Sequence, residues 1–545
     1  MYNQPTYNTV LPAIAVLLLY AISFTACNNQ PEPDAKKVTR DTVNKAEKEI
    51  AVELNGKFSD QTILKFDSSA LPGFFLAHPL LAAYQQDVEL FYKKRDFSFA
   101  WYDSNGLIEP AGNFYARVRN LPAEGIAAPV PYLINLDSLM ESRDLTEKKQ
   151  QAETEILLSG LYFYFANKVW GGLDEKTSTK MEWYLPRKKI PYEQWLDSLL
   201  KTPGAFSHAD EPVFRQYNLL RSFLEKYRAI ETAGKWEPVA TDKKTYRLLD
   251  SAATIQQVKT KLFQLGDLAI DDGAALFDTT LQVAVKKFQH RYGIKEDGII
   301  GQSMIKELNA PLHGKIEKIL VNLERSRWLP MALNGEYLAV NIPEFKLHVY
   351  NKDSLLWSMN VVVGQALTKT VIFSGALKNV VFSPYWNVPA SIYKKEVLPG
   401  MRRNKNYLVQ HHMEKSGNGV RQIPGPWNSL GQVKFLFPNS YSIYFHDTPS
   451  KSLFVESKRD FSHGCIRLAE PKKLAAWLLR NDTAWNDEKI TAAMNKGKEQ
   501  YVTLGKPVPV FITYLTAWVD RSGQLNLRDD IYKRDGRLIE MMMSK

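Results

Sequence analysis

The spacing of apolar residues divides the chain into a helical part and a later part built of strands. Residues 50–245 contain helical stretches, and the run 153–169 carries apolar side chains around most of its circumference, which predicts a buried helix. A second pattern repeats spacings of three and four residues, at Val258, Leu262 and Leu265, at Leu281, Val285 and Phe288, and at Ile305 and Leu308. It predicts three short helices around one core in residues 251–310, separated by glycine-containing turns.

A linking helix and a change of period follow. Apolar residues on one face predict a helix over residues 315–330 that ends at Pro330. From Tyr337 the apolar residues recur at every second position, as they do in strands. This spacing runs through the β-branched and aromatic strings YLAVNIPEF, KLHVYN, SMNVVVG and NVVFSPYWNVP. These strings predict a mainly β domain over residues 335–530. The strings VPVFITYLTAWVD and LNLRDDIY near its end predict two more strands that complete the same sheet.

Residues 391–432 interrupt the strand pattern with a polar and basic stretch that ends in RQIPGPWNSLGQ. About forty residues without strand pattern are unusual in a compact domain, and such long excursions tend to be lids or binding loops. We therefore predict a lid over the functional site. A mobile insert without function is the alternative.

The N-terminus carries an apolar run, Val10–Ala26, which has the length of a signal-sequence core and is short for a membrane span. Its last residues and Cys27 resemble the lipobox of bacterial lipoproteins, in which cleavage leaves a lipidated cysteine, although Phe24 replaces the usual leucine. Residues 1–26 are thus predicted to be a signal peptide and 27–49 a flexible tether. An uncleaved membrane anchor is the alternative, and either places the folded body outside the cytoplasm.

Composition limits the class of protein. At roughly 150 residues per domain, 545 residues predict three or four domains, and 45% hydrophobic with 24% charged residues excludes a largely disordered chain. The formal net charge of +11 is concentrated in residues 331–480, which hold 19 basic and 9 acidic side chains. Only two cysteines occur, so a disulfide framework is excluded. The basic residues lie outside the cytoplasm without a binding motif, which argues against nucleic acid as a partner.

The second cysteine, Cys465, is a candidate nucleophile. It follows Gly464 in a turn that permits close approach of a substrate, and an unpaired thiol outside the cytoplasm is unusual. A free thiol has a pKa of about 8.5 and needs a base or positive surroundings to ionise. His446 and His463 are the candidate bases, and Arg467 adds positive charge. The two histidines and the cysteine could also bind zinc, but HExxH and paired CxxC motifs are lacking, so we predict no metal and no cofactor.

Two strings resemble known families. LFQLG followed by FDTTLQVAVKKFQHRYGIKEDGIIGQSMIKELN is similar to the three-helix peptidoglycan-binding domain over about sixty residues. FHDTP followed, after a gap of fifteen residues between His446 and Ser462, by SHGCIRL resembles the signature of YkuD-type L,D-transpeptidases. VNIPEFKLHVY, VVVG, PYWNVP, RQIPGPWNSLG and KFLFPN match the long subfamily, so the resemblance covers roughly residues 50–530. It implies an α+β multidomain protein with a helical scaffold, a peptidoglycan-binding domain and a catalytic mixed β-sandwich.

The resemblance also implies roles for individual residues. Cys465 would be the nucleophile, His446 its base, and the backbone carbonyl of Asp447 the third member. His463, Gly464 and Cys465 would shape the oxyanion pocket. Arg467 would bind a substrate carboxylate. The remaining substrate-binding candidates are Ser462, Tyr444, Trp386 and Asn387. For Tyr444, Trp386 and Asn387, packing in the core is the alternative.

The activity implied is peptidoglycan cross-linking through a thioester. The cysteine would take the acyl group of a tetrapeptide donor stem, release D-alanine and pass the acyl group to a second stem, giving a 3-3 cross-link. The partners would be stem peptides, glycan and the membrane reached through the lipid anchor, on the periplasmic side of the cell envelope. By family analogy carbapenems would react with the thiol. The same site could use water or a protein amine as acceptor, and a wall-binding lipoprotein without catalysis is the non-enzymatic alternative.

Overall fold

The computed structural model describes residues 64–141, 148–202, 204–206, 211–330 and 333–544. The predicted signal peptide, the tether and Cys27 lie outside these residues. Within the described ranges, the structure contains no helix with the length and apolar character needed to cross a membrane.

The first region is helical, as its apolar spacing predicts. Its helices are α1 Ala70–Ala77, α2 Gln85–Lys94, α3 Glu109–Arg119, α4 Leu133–Glu141, α5 Lys148–Phe165, α6 Glu175–Lys180, α7 Tyr192–Leu200 and α8 Gln216–Thr232. Short strand pairs accompany them, β1 Tyr102–Asp103 with β2 Gly106–Leu107, and β3 Trp183–Tyr184 joins the later sheet. The predicted buried helix at 153–169 is α5, which continues as a π-helical turn over Ala166–Gly171.

Helix α5 buries a carboxylate as well as apolar side chains. Glu155 accepts hydrogen bonds from the Tyr92 hydroxyl at 2.7 Å and from the Trp101 N–H at 3.0 Å. Burial raises the pKa of Glu155 to about 7, although these hydrogen bonds act in the opposite direction. The carboxylate therefore ties three segments of the helical region together.

The predicted three-helix unit is confirmed as α9 Ala253–Leu265, α10 Thr279–Arg291 and α11 Gln302–Asn309, with the short pair β4 Thr245–Tyr246 and β5 Ile300–Gly301. The apolar positions that predicted it are buried, including Val258, Leu281 and Leu308 with no exposed surface. Asp278 caps α10 by accepting the N–H of Leu281 at 2.7 Å.

The helix predicted to link domains, α12 Leu312–Trp328, is a buried central element rather than an exposed connection. Arg327 donates to the carbonyls of Val169 at 2.9 Å and Glu124 at 2.6 Å, both in the helical region. Arg325 forms an ion pair at 2.8 Å with Asp535 near the C-terminus. The two arginines connect the helical region to the C-terminal residues because they lie on different sides of one helix.

The C-terminal region is mainly β. Its strands are β6 Glu336–Asn341, β7 Lys346–Asn351, β8 Ser354–Gly364, β9 Ile372–Phe382, β10 Trp386–Asn387, β11 Met413–Ser416, β12 Gly419–Gln422, β13 Val433–Leu436, β14 Phe445–His446, β15 Asp460–Ser462, β16 Ile466–Leu468, β17 Gln500–Thr513, β18 Ala517–Val519 and β19 Leu525–Leu527. Helices α13 Ala390–Ile392, α14 Leu398–Arg403, α15 Tyr407–Gln410, α16 Pro471–Leu479, α17 Asp487–Asn495 and α18 Asp535–Met543 lie between and after them.

The main strands close into a ring. The order is β13-β14-β16-β8-β7-β6-β17-β9, and β9 pairs back to β13. Alternate residues such as Leu338, Val340 and Leu347 point inward and have no exposed surface. The predicted mainly β domain is thus confirmed, and its strands form a closed ladder with an apolar interior.

Two expectations hold only in part. The first half of VPVFITYLTAWVD is the end of β17, which completes the main sheet as predicted by pairing with β6 and β9, whereas β18 and β19 pair only with each other among the described strands. Their hairpin instead contacts the two preceding regions, because Gln216 donates to the Val519 carbonyl at 2.7 Å and Arg291 to the Leu525 carbonyl at 2.5 Å. Residues 391–432 do contain strands, since β11 and β12 form a hairpin that pairs with β10.

Candidate active site

The candidate residues meet on two neighbouring strands. β14 and β16 run parallel, with Phe445 opposite Ile466 and His446 opposite Arg467. Phe445 and Ile466 point into the core and have no exposed surface. Because side chains alternate along a strand, His446 and Arg467 point to the outer face, and Cys465, which precedes Ile466, falls opposite Tyr444 on that same face.

The imidazole of His446 is oriented by the backbone. Its Nδ1 lies 2.5 Å from the carbonyl oxygen of Asp447, an acceptor, so Nδ1 carries the proton and Nε2 keeps a free lone pair. Burial, together with the nearby charge of Arg467, lowers the pKa of His446 to about 4, although the hydrogen bond to the Asp447 carbonyl opposes the shift. At neutral pH the ring is therefore uncharged and able to accept a proton.

The thiol of Cys465 is partly buried, and its Sγ lies 3.6 Å from the Ser442 carbonyl oxygen. Burial raises the pKa of this thiol, and hydrogen bonding to Tyr444 and the charge of Arg467 reduce the rise. Tyr444 thus borders the thiol, and its ring centroid lies 5.8 Å from that of His446. A thiol with a raised pKa needs a base to become a nucleophile, and the uncharged imidazole on the same face can supply one.

The turn before the thiol uses its own polar groups. The Ser462 hydroxyl donates to the Cys465 carbonyl at 2.6 Å and accepts the Gly464 N–H at 3.1 Å. Ser462 is almost fully buried, so it shapes the turn, and the expectation that it binds substrate is not supported by this arrangement. The Gly464 N–H is already used, whereas no hydrogen bond to a described residue uses the Cys465 N–H, which makes it the candidate oxyanion donor.

A hydrogen-bonded support behind the turn has no counterpart in the sequence prediction. The Thr370 hydroxyl donates to the Gly464 carbonyl at 2.8 Å and accepts the Gly364 N–H at 2.9 Å. Tyr532 donates its hydroxyl to the Gly364 carbonyl at 2.5 Å and accepts the Thr370 N–H at 3.1 Å. The VVVG string ends at Gly364, where a Cβ would overlap the Thr368 carbonyl. In the amino-acid sequence, the VVVG string was the one feature that could have indicated these hydrogen bonds behind the turn.

The carboxylate of Asp447 has a structural partner. It accepts the Gln432 N–H at 2.9 Å and pairs with Lys451. Gly431 has a φ of 63° and sits where a Cβ would overlap this carboxylate. Asp447 thus presents its carbonyl to His446 while its side chain fastens the end of the 391–432 insert.

The other candidates lie further from the thiol. His463 is half-exposed, and its Nε2 is 3.4 Å from a carboxylate oxygen of Glu396 in the insert. Trp386 and Asn387 form β10 and pair with β12, so they lie at the root of the insert. Arg467 borders the site, and its Nε is buried without a hydrogen-bond partner among the described residues. Among the residues that the structure describes, no cluster of three or more His, Cys, Asp or Glu side chains could hold a metal ion.

A closed β domain with a thiol, a backbone-oriented imidazole and an unused N–H has the layout of a cysteine-dependent acyl-transfer domain. Residues 335–516 match the family model described as the L,D-transpeptidase catalytic domain, YkuD. Residues 86–224 match "Scaffold domain", and residues 251–308 match "Putative peptidoglycan binding domain". The matches of these three segments confirm the resemblance seen in the sequence, and residues 335–516 are similar to the YkuD catalytic domain of L,D-transpeptidases.

Individual proteins are more distant. The chain is 31% identical over 242 residues to a Haemophilus influenzae protein named "Putative L,D-transpeptidase", and the match covers 41% of this chain and 49% of that relative. The chain thus spans about half the length of the curated relative it matches. The solved L,D-transpeptidases from Xylanimonas cellulosilytica and Mycobacterium smegmatis are 12% and 14% identical, each with a TM-score of 0.19. The two matches cover 50% and 33% of this chain, and 100% and 59% of the respective solved chains. At these TM-scores they support no further argument.

Proposed function

We propose that the protein is an L,D-transpeptidase that forms 3-3 cross-links in peptidoglycan through a thioester on Cys465. The observation that carries this proposal is the hydrogen bond from His446 Nδ1 to the Asp447 carbonyl, because it leaves Nε2 as a base on the face that holds the thiol. The match of residues 335–516 to the catalytic domain supports the reaction class. The match of residues 251–308 supports a peptidoglycan substrate, which implies a location outside the cytoplasm.

The first half-reaction forms the thioester. His446 Nε2 takes the thiol proton while Sγ attacks the carbonyl carbon of the third residue of a tetrapeptide stem. The negative charge on the carbonyl oxygen is held by the Cys465 N–H. The C–N bond to the terminal D-alanine then breaks, and His446 returns the proton to the leaving amine.

The second half-reaction forms the cross-link. A side-chain amine of a second stem attacks the thioester carbonyl and loses a proton to His446. The C–S bond breaks, and the proton restores the thiol. Arg467 binds a stem carboxylate, because its guanidinium borders the thiol and makes no hydrogen bond that would occupy its Nε among the described residues. The half-exposed His463 and its partner Glu396 place the insert next to the entrance, which supports a lid that covers the bound stems.

Anchoring by a lipid on Cys27 belongs to the same proposal, and it rests on the sequence alone. Cys27→Ala is expected to release the protein from membranes into the soluble envelope fraction while leaving its activity unchanged. Fractionation of cells followed by immunoblotting measures this, and unchanged membrane association would contradict the anchor.

Mass spectrometry of products tests the reaction. Purified full chain, incubated with disaccharide-tetrapeptides and an isotopically labelled acceptor stem, is expected to release D-alanine and give labelled 3-3 dimers, and Cys465→Ala is expected to give neither. Dimers from Cys465→Ala would overturn cysteine catalysis. Release of D-alanine without dimers would instead identify water as the acceptor and make the protein an L,D-carboxypeptidase.

A further inference from the structure

A second cavity lies on the outer face of the β ring, away from Cys465. Its volume is about 290 Å³, and its floor is formed by β6, β7, β8 and β17. Arg215 at the start of α8 and Trp518 in β18 border it from above. The VNIPEFKLHVY string of the sequence forms much of the floor, and the mechanism proposed above uses none of its residues.

Strand register places the polar residues of this string in the cavity. Tyr337 pairs with Tyr350, and Asn341 pairs with Lys346, so all four share one face of β6 and β7. The residues between them, such as Val340 and Leu347, are fully buried in the core. A one-residue shift of register would bury the polar set and expose the apolar set, so the polar floor is strongly specified.

Three floor residues form a hydrogen-bonded chain. His348 lies between Glu344, whose carboxylate oxygen is 2.9 Å from Nε2, and Ser358, whose hydroxyl is 2.7 Å from Nδ1. Burial alone would raise the pKa of Glu344, but the charge and hydrogen bond of His348 lower it to about 2, so Glu344 is ionised at neutral pH. These contacts use only Oε2. The other oxygen, Oε1, has no hydrogen-bond partner among the described residues and can accept one from a ligand.

Aromatic rings form one side of the cavity. Tyr337 and Tyr350 stack with centroids 5.0 Å apart, and Phe511 meets Tyr337 edge-on at 5.8 Å. Together with Trp518 they give the cavity an apolar wall next to the Glu344–His348–Ser358 chain. A ligand that fits must therefore present an apolar face and hydrogen-bonding groups at its edge.

The charges of the cavity favour a neutral ligand over a strongly charged one. The described lining residues include three cationic and three anionic side chains, namely Arg215, Lys346 and Arg521, and Glu344, Asp353 and Asp520. Balanced charges give little net attraction for a carboxylate-rich peptide or for a polyamine. The cavity therefore fits a neutral ligand with several hydroxyl or amide groups.

We propose that this cavity binds a neutral sugar ring of a glycan chain, with the C–H face of the ring against the aromatic wall formed by Tyr337, Tyr350, Phe511 and Trp518 and its hydroxyls donating to Glu344 Oε1 and Ser358. The volume is at the lower end for ligand pockets and suits one or two sugar residues. Identifying the glycan as that of peptidoglycan rests on the proposed function, whereas the sugar chemistry rests on the cavity. The site would hold a glycan strand while Cys465 reacts with its stems.

The Glu344–His348–Ser358 chain serves binding rather than a second hydrolytic activity. Ser358 lies within β8, directly opposite His348, and a serine nucleophile is usually exposed on a sharp turn next to free N–H groups. Treatment with a fluorophosphonate probe is therefore expected to leave Ser358 unlabelled. Labelling that Ser358→Ala abolishes would overturn the binding role.

Hydrogen–deuterium exchange read by mass spectrometry tests the binding site, using the full-length Cys465→Ala protein so that the result does not depend on catalysis. Chitotetraose, an uncharged chain of four N-acetylglucosamine residues, is expected to slow exchange in peptides covering residues 337–358 and 514–521. Any protection in residues 251–308 reports the peptidoglycan-binding domain separately. No protection of the cavity peptides at saturating sugar would overturn the proposal, and so would protection by the free tetrapeptide instead.

Variants locate the sugar. His348→Ala and Tyr350→Ala are each expected to raise, at least tenfold, the chitotetraose concentration needed for half-protection of the cavity peptides, with residues 251–308 unaffected. Phe263→Ala, an exposed aromatic of the three-helix unit, is the matched control and should leave the cavity peptides unchanged. Ser358→Ala removes one hydroxyl with little risk to folding. If the chitotetraose concentration for half-protection stays unchanged in His348→Ala, Tyr350→Ala and Ser358→Ala, the proposed site is contradicted.

Discussion

His446 donates its Nδ1 proton to the carbonyl oxygen of Asp447, the next residue in the chain, at 2.5 Å. In many cysteine and serine enzymes a separate polar side chain orients the histidine. Here a backbone carbonyl fills that role, and the Asp447 carboxylate is occupied by Gln432 and Lys451. The orientation of the base thus depends on the local backbone and on the insert that ends next to it.

Replacing the proposed base should abolish most of the activity. His446→Ala is expected to lower kcat at least 100-fold, since general bases typically contribute about 10² to 10⁴ in rate. Release of D-alanine from a disaccharide-tetrapeptide measures this. His313→Ala, at an exposed histidine of α12, is the matched control and should retain full activity. Comparable rates for the two variants would rule out His446 as the base.

The buried imidazole should make stability depend on pH. The unfolded chain protonates His446 near pH 6.5 and the folded chain near pH 4, so the unfolded state binds more protons between these values. Stability is then fully present above pH 6.5 and is lost as pH falls toward 4, by about 3 kcal/mol at most. Urea unfolding at pH 7.5 and pH 4.5 measures the difference. In His446→Gln, which cannot titrate, the loss should be smaller, and an equal loss would exclude this origin.

Removing one hydroxyl behind the turn should slow the reaction without unfolding the domain. Tyr532→Phe removes the hydrogen bonds to the Gly364 carbonyl and the Thr370 N–H, which hold the carbonyl of Gly464 through Thr370. We expect kcat to fall about fivefold with KM nearly unchanged, because about 1 kcal/mol of positioning is lost. Tyr501→Phe, at an exposed tyrosine, is the control. A drop confined to the melting temperature would indicate only a structural role for Tyr532.

A side chain at the turn glycine should damage the site. Gly464 has a φ of 117°, a conformation that L-residues rarely adopt, so Gly464→Ala is expected to cost about 1–3 kcal/mol of strain. Relief of that strain would move the Cys465 N–H, so we expect turnover to fall. The rate at which iodoacetamide alkylates the thiol should change at the same time. Gly505→Ala, at a glycine with open space around it, should leave both unchanged. Normal turnover in Gly464→Ala would show that the turn tolerates the change.

Several elements could be predicted because their signal is local. The helices of the 251–310 unit follow from apolar residues three and four positions apart. Phe445 and Ile466 enter the core by strand alternation, which also places His446 and Arg467 outward. The contacts of the Ser462 hydroxyl with its own turn could not be predicted, because they depend on the backbone path.

The amino-acid sequence by itself determined the order of the helical and β regions, the two candidate reactive residues Cys465 and His446, and the families that the chain resembles. These features depend on residue type and on short spacings along the chain. Tertiary structure decided what spacing cannot encode. Tyr532 reaches Gly364 across 168 positions of the chain, and the β18–β19 hairpin contacts the helical regions instead of extending the main sheet. Such contacts are set by how whole elements pack, since a hydrogen bond between distant residues leaves no periodic pattern in the chain.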